Sequence, residues 1–345
     1  MSGRGLGLSP RQIALWVTGI AIFLLLPRVI TDPYLLHVAI LGMIFSIVAS
    51  NWDLTLGYAG VFNFAHIAFF GIGAYTSGIL AVRFGISPWI GIIAGAIAAT
   101  IVAAIVSVPA IRLRGIYVAL LTFAFAQLAL ALIVSQTSFT GGISGLVGVP
   151  GLSIGDYQFR EHPVAYFYLI GAVLLASTLF LRRVVTSDFG LSLIALRDFE
   201  EYAVSRGVPL ARQRFLAFLF SSIFTGVAGA LYVHYLLVAS PEVFGFSLGT
   251  LFLSVILVGG AATIYGPVIA GVVLTYISEM MAPLGPIRFM VLALLIIVTM
   301  WFVPQGVWGL LTRGFSRRNV TLPPEGLEAD PDSPYGAGEE PGPAR

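Results

Sequence analysis

The sequence predicts an all-α polytopic membrane protein with about ten transmembrane or re-entrant helices. Of its 345 residues, 58% are hydrophobic and only 10% are charged, and the mean hydropathy is +0.97. Soluble domains typically carry about 25% charged residues, so this chain has too little polar surface for water. Its apolar residues also form long runs, and a transmembrane helix needs about 20 of them.

The apolar runs divide the chain into successive candidate helices. In order, they are residues 12–31, 33–50, 61–82, 88–109, 115–135, 164–183, 214–237, 248–264, 267–283 and 287–304. Gly71 and Gly73 interrupt the third run, and Gly266-Pro267 separates the eighth from the ninth, so broken or re-entrant helices are expected there. No small-residue cleavage site follows the first run, which predicts an uncleaved anchor. The ten runs divide into two halves of five. In each half the glycine-rich, broken segment is the third or fourth run, a position that an inverted repeat of the two halves would produce.

Arginine asymmetry predicts the orientation, because cytoplasmic segments carry an excess of basic residues. With ten crossings and both termini in the cytoplasm, the external arginines are only Arg28, Arg83, Arg160 and Arg288. Outside the C-terminal tail, the cytoplasmic ones are Arg4, Arg11, Arg112, Arg114, Arg182, Arg183, Arg197, Arg206, Arg212, Arg214, Arg313, Arg317 and Arg318. The predicted organisation is therefore a cytoplasmic N-terminus at 1–11, a membrane domain at 12–318 with a cytoplasmic loop at 187–213, and a disordered acidic cytoplasmic tail at 319–345.

The loop 187–213 is the one charged, amphipathic interruption of the membrane region. Within residues 191–204 four apolar side chains share one helical face. They are Leu191, Ile194, Ala195 and Phe199. Gly207 is expected to end this helix and Pro209 to prevent its continuation. Such a helix lies on lipid headgroups or docks on a partner protein, and its acidic residues, which an anionic leaflet would repel, favour the partner.

A glycine-rich segment at 57–78 is the second candidate for function. Asn63 and His66 are three residues apart and share a helical face, with Tyr75 further along. This face either borders a polar translocation path or forms hydrogen bonds between helices, and the sequence favours neither.

Two further glycine-rich stretches lie at 140–150 and 259–271. The first forms an outer mouth or a packed turn, because its glycines do not sustain a helix. The second carries the same ambiguity. The candidate hinge glycines of the chain are Gly71, Gly73, Gly259, Gly260 and Gly266.

The residues that are missing exclude several mechanisms. The chain has no Cys, and all 18 of its basic residues are Arg. Without Lys, neither a G-x-x-x-x-G-K-[ST] phosphate loop nor a Schiff-base lysine is available. The four His are scattered without the spacing of a metal site. Asp32, Asp53, Glu242 and Glu279 lie at or near the ends of predicted spans. No carboxylate therefore falls in the middle of a span, where a driving ion would bind. We therefore expect no cofactor in this chain and an energy source outside it.

Four stretches resemble a known family. The first is Gly57-Tyr58-Ala59-Gly60 with His66, Ala68, Phe69, Phe70, Gly71, Gly73, Ala74 and Tyr75. The second is Thr140-Gly141-Gly142 with Gly145-Leu146 and Gly148-Val149-Pro150. The third is Gly190, Ala195, Arg197, Glu200, Ala203 and Gly207, followed by Ala217-Phe218, Ser221, Gly226 and Ala228-Gly229-Ala230-Leu231. The fourth is Gly259-Gly260 with Gly266-Pro267. Together, from about residue 46 to 311, they resemble the branched-chain amino acid ABC-transporter permeases of the LivM type (LivH/LivM family). Leu191, Tyr202, Ala65 and Ala261 depart from the family pattern.

The resemblance implies a permease subunit of an ABC importer in a bacterial or archaeal cytoplasmic membrane. It implies about ten helices, a homologous second permease subunit of LivH type, two ATP-binding-cassette ATPases that bind the ATP, and an extracytoplasmic solute-binding protein. Membrane lipid surrounds the chain, and no nucleic-acid partner is expected. The loop 187–213 then couples to the ATPases, and five of its residues are assigned to coupling. They are Arg197, Glu200, Glu201, Ala203 and Gly207.

Three alternatives remain at this stage. An ABC permease of the same kind could carry amides or urea. A stand-alone secondary transporter or channel would work without ATP, and the lack of mid-span charge argues against it. A membrane-embedded enzyme would need several titratable groups inside the bilayer.

Overall fold

The computed structural model describes residue 27 and the segments 32–285, 287–302 and 306–313. The predicted first run at 12–31, except residue 27, and the terminal regions 1–11 and 319–345 lie outside the described residues. Residues up to Leu310 form one compact unit. The second unit is Leu311–Arg345, of which only the helical residues 311–313 are described.

Helices make up most of the described chain. They are α1 Pro33–Asp53, α2 Ala65–Phe84, α3 Pro88–Ala110, α4 Ile116–Ser135, α5 Thr137–Thr140, α6 Pro163–Val185, α7 Asp188–Asp198, α8 Glu200–Ser205, α9 Leu210–Leu236, α10 Phe246–Gly259, α11 Gly266–Met280, α12 Ile287–Phe302 and α13 Gly306–Arg313. The strands are β1 Leu146–Val147, β2 Ser153–Ile154, β3 Tyr157–Gln158 and β4 Val238–Ala239.

Seven helical stretches of the described chain are long and apolar enough to cross a membrane. They are Pro33–Tyr58, Ala65–Phe84, Pro88–Ala110, Ile116–Ser135, Pro163–Val185, Leu210–Leu236 and Met290–Gly309. Along α3, Ile93, Ile97, Ile101 and Ile105 form an exposed apolar row, which suits contact with lipid. The predicted all-α polytopic class is confirmed.

Two helices, α10 and α11, are too short to span a bilayer. They have 14 and 15 residues, or about 21 and 22 Å at 1.5 Å per residue, against a hydrocarbon core of about 30 Å. The predicted break between the eighth and ninth runs is confirmed, and it occupies residues 260–265, which we call the α10–α11 turn. Pro267 lies in the first turn of α11, where a missing N–H costs nothing.

The helix α1 is almost entirely buried and forms the centre of the bundle. It begins at Pro33, with the Asp32 side chain accepting a hydrogen bond from the backbone N–H of Tyr34 at 2.9 Å. At its other end the backbone widens into a π-helix, Leu54–Tyr58. Just before that widening, Ser50 and Asn51 donate to backbone carbonyls one turn back, and such bonds compete with the regular helical ladder.

The predicted break at Gly71 and Gly73 is wrong, because α2 continues through both residues. The prediction also placed the start of this run at residue 61, whereas α2 begins at Ala65. The two glycines allow close packing instead. A Cβ on Gly73 would lie 2.3 Å from the carbonyl oxygen of Gly226 in α9, and one on Gly71 would overlap the ring of Phe244. Small residues at helix contacts let backbones meet in this way.

The segment after α9 turns back into the core. Leu237 has a φ of 62°, and β4 then pairs antiparallel with β1. Ala239 and Phe244 are completely buried. The glycine-rich stretch 140–150, which contains β1, therefore packs on the segment that follows α9, while Ile143 and Val147 are exposed. His234 of α9 donates from Nδ1 to the Pro150 carbonyl at 2.7 Å and closes this stretch against the bundle.

Candidate functional site

The loop 187–213 folds into two short helices, α7 and α8, followed by the start of α9. Ser187 caps α7 by accepting a hydrogen bond from the Gly190 N–H at 3.4 Å. The prediction of one helix over 191–204 is wrong, because Phe199 has an extended backbone (φ −145°, ψ 77°) that separates α7 from α8. Gly207 ends α8 as predicted, with a φ of 89° that favours glycine.

The apolar residues of the loop divide between two faces. Leu193 and Leu196 of α7 are buried against the bundle, and Ala203 of α8 is buried as well. By contrast, Leu191 and Phe199 are exposed, with 59% and 73% of their surface accessible. The predicted single apolar face is therefore wrong, and part of it points away from the bundle. Tyr202 is also exposed, and the Arg206 guanidinium lies 5.2 Å from its ring centre.

Three of the five predicted coupling residues face the bundle. Arg197 donates from Nη1 to the carbonyl of Gly57 at 2.9 Å. Glu200 accepts from Arg214 at 2.8 Å and lies 3.3 Å from Arg114. Ala203 is buried. These contacts join the loop to the π-helix and to the ends of α4 and α9.

Arg197 also pairs with its neighbour Asp198. The guanidinium donates from Nε to the Asp198 carboxylate at 2.8 Å, and this hydrogen bond holds the Asp198 pKa below its ordinary value. The remaining two predicted coupling residues, Glu201 and Gly207, are exposed. The predicted coupling residues do not include exposed Leu191, Phe199 and Tyr202, although the predicted apolar face contains Leu191 and Phe199.

The non-helical segment 59–64 lies directly beside Arg197. Gly60 has a φ of 66°, and a Cβ there would lie 2.7 Å from the Arg197 Cγ. A cavity of about 320 Å³ opens next to it, bordered by Phe62, Arg114, Arg214 and apolar residues from the ends of α3 and α4. The loop anchors and this cavity therefore share one end of the bundle.

Asn63, His66 and Tyr75, the predicted translocation residues, are all almost fully buried. Asn63 donates from Nδ2 to Thr55 Oγ1 and to the Val61 carbonyl, both at 2.9 Å, and its Oδ1 lies 3.2 Å from His66 Nδ1. These bonds join the π-helix to the start of α2, as the hydrogen-bonding alternative expects. In this conformation the three side chains do not border an open passage.

Two polar atoms of this group nevertheless make no hydrogen bond. His66 Nε2 and the Tyr75 hydroxyl are buried without a partner. The His66 ring stacks on Trp52 at a centroid distance of 5.4 Å, and the Tyr75 ring lies 5.9 Å from that of Phe244. A buried polar atom without a partner costs free energy. Asn51, Trp52 and Thr275 also hold such atoms among the described residues.

The predicted hinge glycines at the α10–α11 turn lie in close backbone contact. A Cβ on Gly259 would be 2.6 Å from the Gly266 carbonyl carbon, and Gly260 has a φ of 113°. The Tyr265 ring packs against Trp308 of α13 at 5.5 Å. One carboxylate that sequence reasoning only placed at a span end, Asp53, reaches this turn from α1. No group of His, Asp or Glu within the described residues has the arrangement of a metal site.

Comparison with known proteins adds an independent finding. A sequence profile of the family described as "Branched-chain amino acid transport system / permease component" matches residues 34–301. The high-affinity branched-chain amino acid transport system permease protein LivM of Escherichia coli (strain K12) is 26% identical over 292 residues, which cover 78% of this chain and 69% of that protein. LivM of Salmonella typhimurium is 25% identical over 292 residues, which also cover 78% of this chain and 69% of that protein. No solved structure matches the chain.

Proposed function

Because this chain belongs to the family of branched-chain amino acid transport permeases, we propose that it is the membrane subunit through which an ABC importer takes up branched-chain or related amino acids. The family match covers nearly all of the described bundle. Transport of amides or urea, and action as a stand-alone carrier or channel, are not favoured by these relatives.

The partners of the proposed importer are two ATP-binding-cassette ATPases, a homologous second permease and an extracytoplasmic solute-binding protein. The chain lacks Lys and therefore a phosphate loop, so ATP binding and hydrolysis are assigned to the ATPases and no cofactor to this chain. The observation that carries the proposal is the loop 187–213, which combines internal anchors with exposed apolar side chains.

The exposed side chains of this loop form the proposed docking surface. Leu191, Phe199 and Tyr202 point away from the bundle, and aromatic residues are enriched at protein interfaces. Arg197 and Glu200 are bound within the chain, so their proposed role is to transmit force and hold the loop in place. Glu201 is exposed and is available to a partner.

The proposed orientation places both termini and the loop 187–213 in the cytoplasm. Arg114, Arg197 and Arg214 lie together at the loop end of the bundle. Arg83, in the last turn of α2, instead donates to the Ser138 carbonyl of α5 at 2.8 Å. A concentration of arginines at the loop end supports the cytoplasmic assignment.

Asn63, His66 and Tyr75 remain the proposed translocation residues. The unpaired Nε2 of His66 and hydroxyl of Tyr75 support this role, because a second conformation that exposes them would supply the missing hydrogen bonds. Substrate passage would then require α2 and its neighbours to separate on one side. The close packing of Gly73 against Gly226 then belongs to the closed conformation, in which α2 and α9 are in contact.

Reconstitution tests the proposal directly. The chain is incorporated into proteoliposomes with its second permease, both ATPases, the solute-binding protein and ATP, and uptake of radiolabelled leucine is measured. Uptake should require every component, and isoleucine and valine should compete while urea should not. Uphill leucine uptake by the chain alone, without nucleotide, would contradict the proposal.

A further inference from the structure

Asp53 is a buried carboxylate whose two oxygens bind a distant backbone turn. It lies at the end of α1 and is 1% exposed. Its Oδ1 accepts from the Ala262 N–H at 3.0 Å, and its Oδ2 accepts from the Thr263 N–H at 3.2 Å. Hydrogen bonds from backbone N–H groups to a carboxylate are among the stronger ones in proteins. Asp53 thus attaches α1 to the turn between the short helices α10 and α11.

The turn that Asp53 holds has an unfavourable backbone conformation. Ala262 has a φ of 56°, in the left-handed region that residues with a Cβ rarely adopt. Such a conformation persists where the surroundings stabilise it, and here the two hydrogen bonds to Asp53 do so. A change in the position of Asp53 would therefore act directly on the geometry between α10 and α11.

Gly57 fills the space between Asp53 and the turn. A Cβ on Gly57 would lie 2.2 Å from Asp53 Oδ1 and 2.3 Å from the Ala262 nitrogen. The same Gly57 accepts, through its carbonyl, the hydrogen bond from Arg197 of the loop 187–213. Gly57 belongs to the π-helix, an irregular helix type that is frequent at functional sites. The contacts therefore run without interruption from Arg197 through Gly57 and Asp53 to Ala262.

We propose that Asp53 is the positioning residue that transmits movement of the loop 187–213 to the α10–α11 turn. This inference rests on the proposed function, in which partner ATPases move that loop. Displacement of Arg197 shifts the Gly57 carbonyl and with it the π-helix. Asp53, which directly precedes the π-helix, then moves the turn and changes the angle between α10 and α11.

The first experiment measures coupling in the complete reconstituted importer. Asp53→Asn keeps the side-chain shape but places an amide N–H against one of the two backbone N–H groups. We expect normal assembly and ATPase activity, with ATP hydrolysed per leucine transported rising about tenfold, within the range of measured coupling between sites. Asp32→Asn is the matched control, because Asp32 also accepts a backbone N–H but at the opposite end of α1. It should retain the wild-type ratio.

A second variant separates transmission from simple stabilisation of the turn. Ala262→Gly removes the conformational strain that Asp53 offsets. If Asp53 only stabilises the turn, the double variant with Asp53→Asn regains the wild-type ratio, and that result would overturn the inference. If Asp53 transmits movement, the double variant stays uncoupled. Should Asp53→Asn fail to assemble, Arg197→Gln tests the same path from its other end, and an unchanged ratio in that variant also overturns it.

The absence of Cys permits a direct measurement of the turn. Ala261 is exposed, so Ala261→Cys introduces one reactive thiol beside Ala262. Its alkylation rate should differ between nucleotide-free and ATP-bound complexes, and Asp53→Asn should abolish that difference. An equal difference in both backgrounds would refute the inference. Failure of the wild-type complex to take up leucine would instead count against the proposed function.

Discussion

The two ion pairs of Glu200 provide the sharpest test of how the loop 187–213 is held. The Arg214 pair is short, at 2.8 Å, and only 15% of the Arg214 side chain is exposed. The Arg114 pair is longer, at 3.3 Å, and 79% of that side chain is exposed. We predict that replacing the two arginines one at a time by Gln has unequal effects on the loop.

The expected magnitudes follow from exposure. A hydrogen bond to a charged group contributes about 1.5–3 kcal/mol when partly buried, whereas an exposed ion pair contributes about 0.2–1 kcal/mol. Arg214→Gln should therefore lower the free energy of loop opening by about 2 kcal/mol and raise the open population about 30-fold. Arg114→Gln should lower it by less than about 1 kcal/mol. Glu200→Gln weakens both pairs, so its effect should at least match that of Arg214→Gln.

Hydrogen exchange measures these differences at the amides of α7 and α8, because local opening exposes them to solvent. Arg183→Gln is the matched control, since Arg183 is exposed and no described contact joins it to Glu200. Leucine uptake by the reconstituted importer should fall in the same order as amide protection. Equal loss of protection in the Arg114 and Arg214 variants would refute the argument from burial.

Three further predictions concern single positions. Gly73→Ala should lower the free energy of unfolding by about 2 kcal/mol through overpacking. Gly78→Ala should not lower it, because its Cβ would lie 3.4 Å from the nearest neighbouring atom. Thermal unfolding in detergent compares the two variants. Tyr75→Phe removes an unpaired buried hydroxyl, so the free energy of unfolding should rise by about 1 kcal/mol. Leucine uptake should fall. Unchanged uptake would exclude Tyr75 from the translocation path. Gly207→Pro should abolish leucine uptake but leave membrane insertion intact. Pro fixes φ near −65°, whereas the backbone at Gly207 has a φ of 89°. Normal uptake by this variant would remove Gly207 from the coupling residues.

Much of the fold was predictable because membrane helices follow local composition. The bounds of α3, α4 and α6 differ from the predicted runs by no more than two residues at either end. Gly207 and the break before Gly266-Pro267 were also predictable, since glycine and proline act on the backbone within a few residues. Gly71 and Gly73 show the limit of this reasoning. The same residue type permits a bend or a close helix contact, and the neighbouring helix decides which.

The candidate site was predictable only in part. The loop 187–213 was located from its charge, and Arg197 and Glu200 were named within it. The break at Phe199 is not predictable from the sequence, because helical periodicity continues through residues 191–204. Glu200, just after the break, pairs with Arg114 and Arg214, which lie outside α7 and α8. The local sequence places Asp53 only near the end of a predicted span and does not indicate its contact with the α10–α11 turn. A lone carboxylate just before Gly57, at the end of a long apolar run, was the signal available.

The sequence by itself determined the membrane class, the order of the helices, the position of the charged loop and the absence of a phosphate loop. Each depends on composition or on residues that are neighbours in the chain. The tertiary structure decided which loop residues face outward and which residues connect the loop to the bundle. Arg197 and Gly57 are 140 residues apart, and Asp53 and Ala262 are 209 apart. Contacts over such separations depend on how the helices pack, and no local pattern in the sequence encodes that.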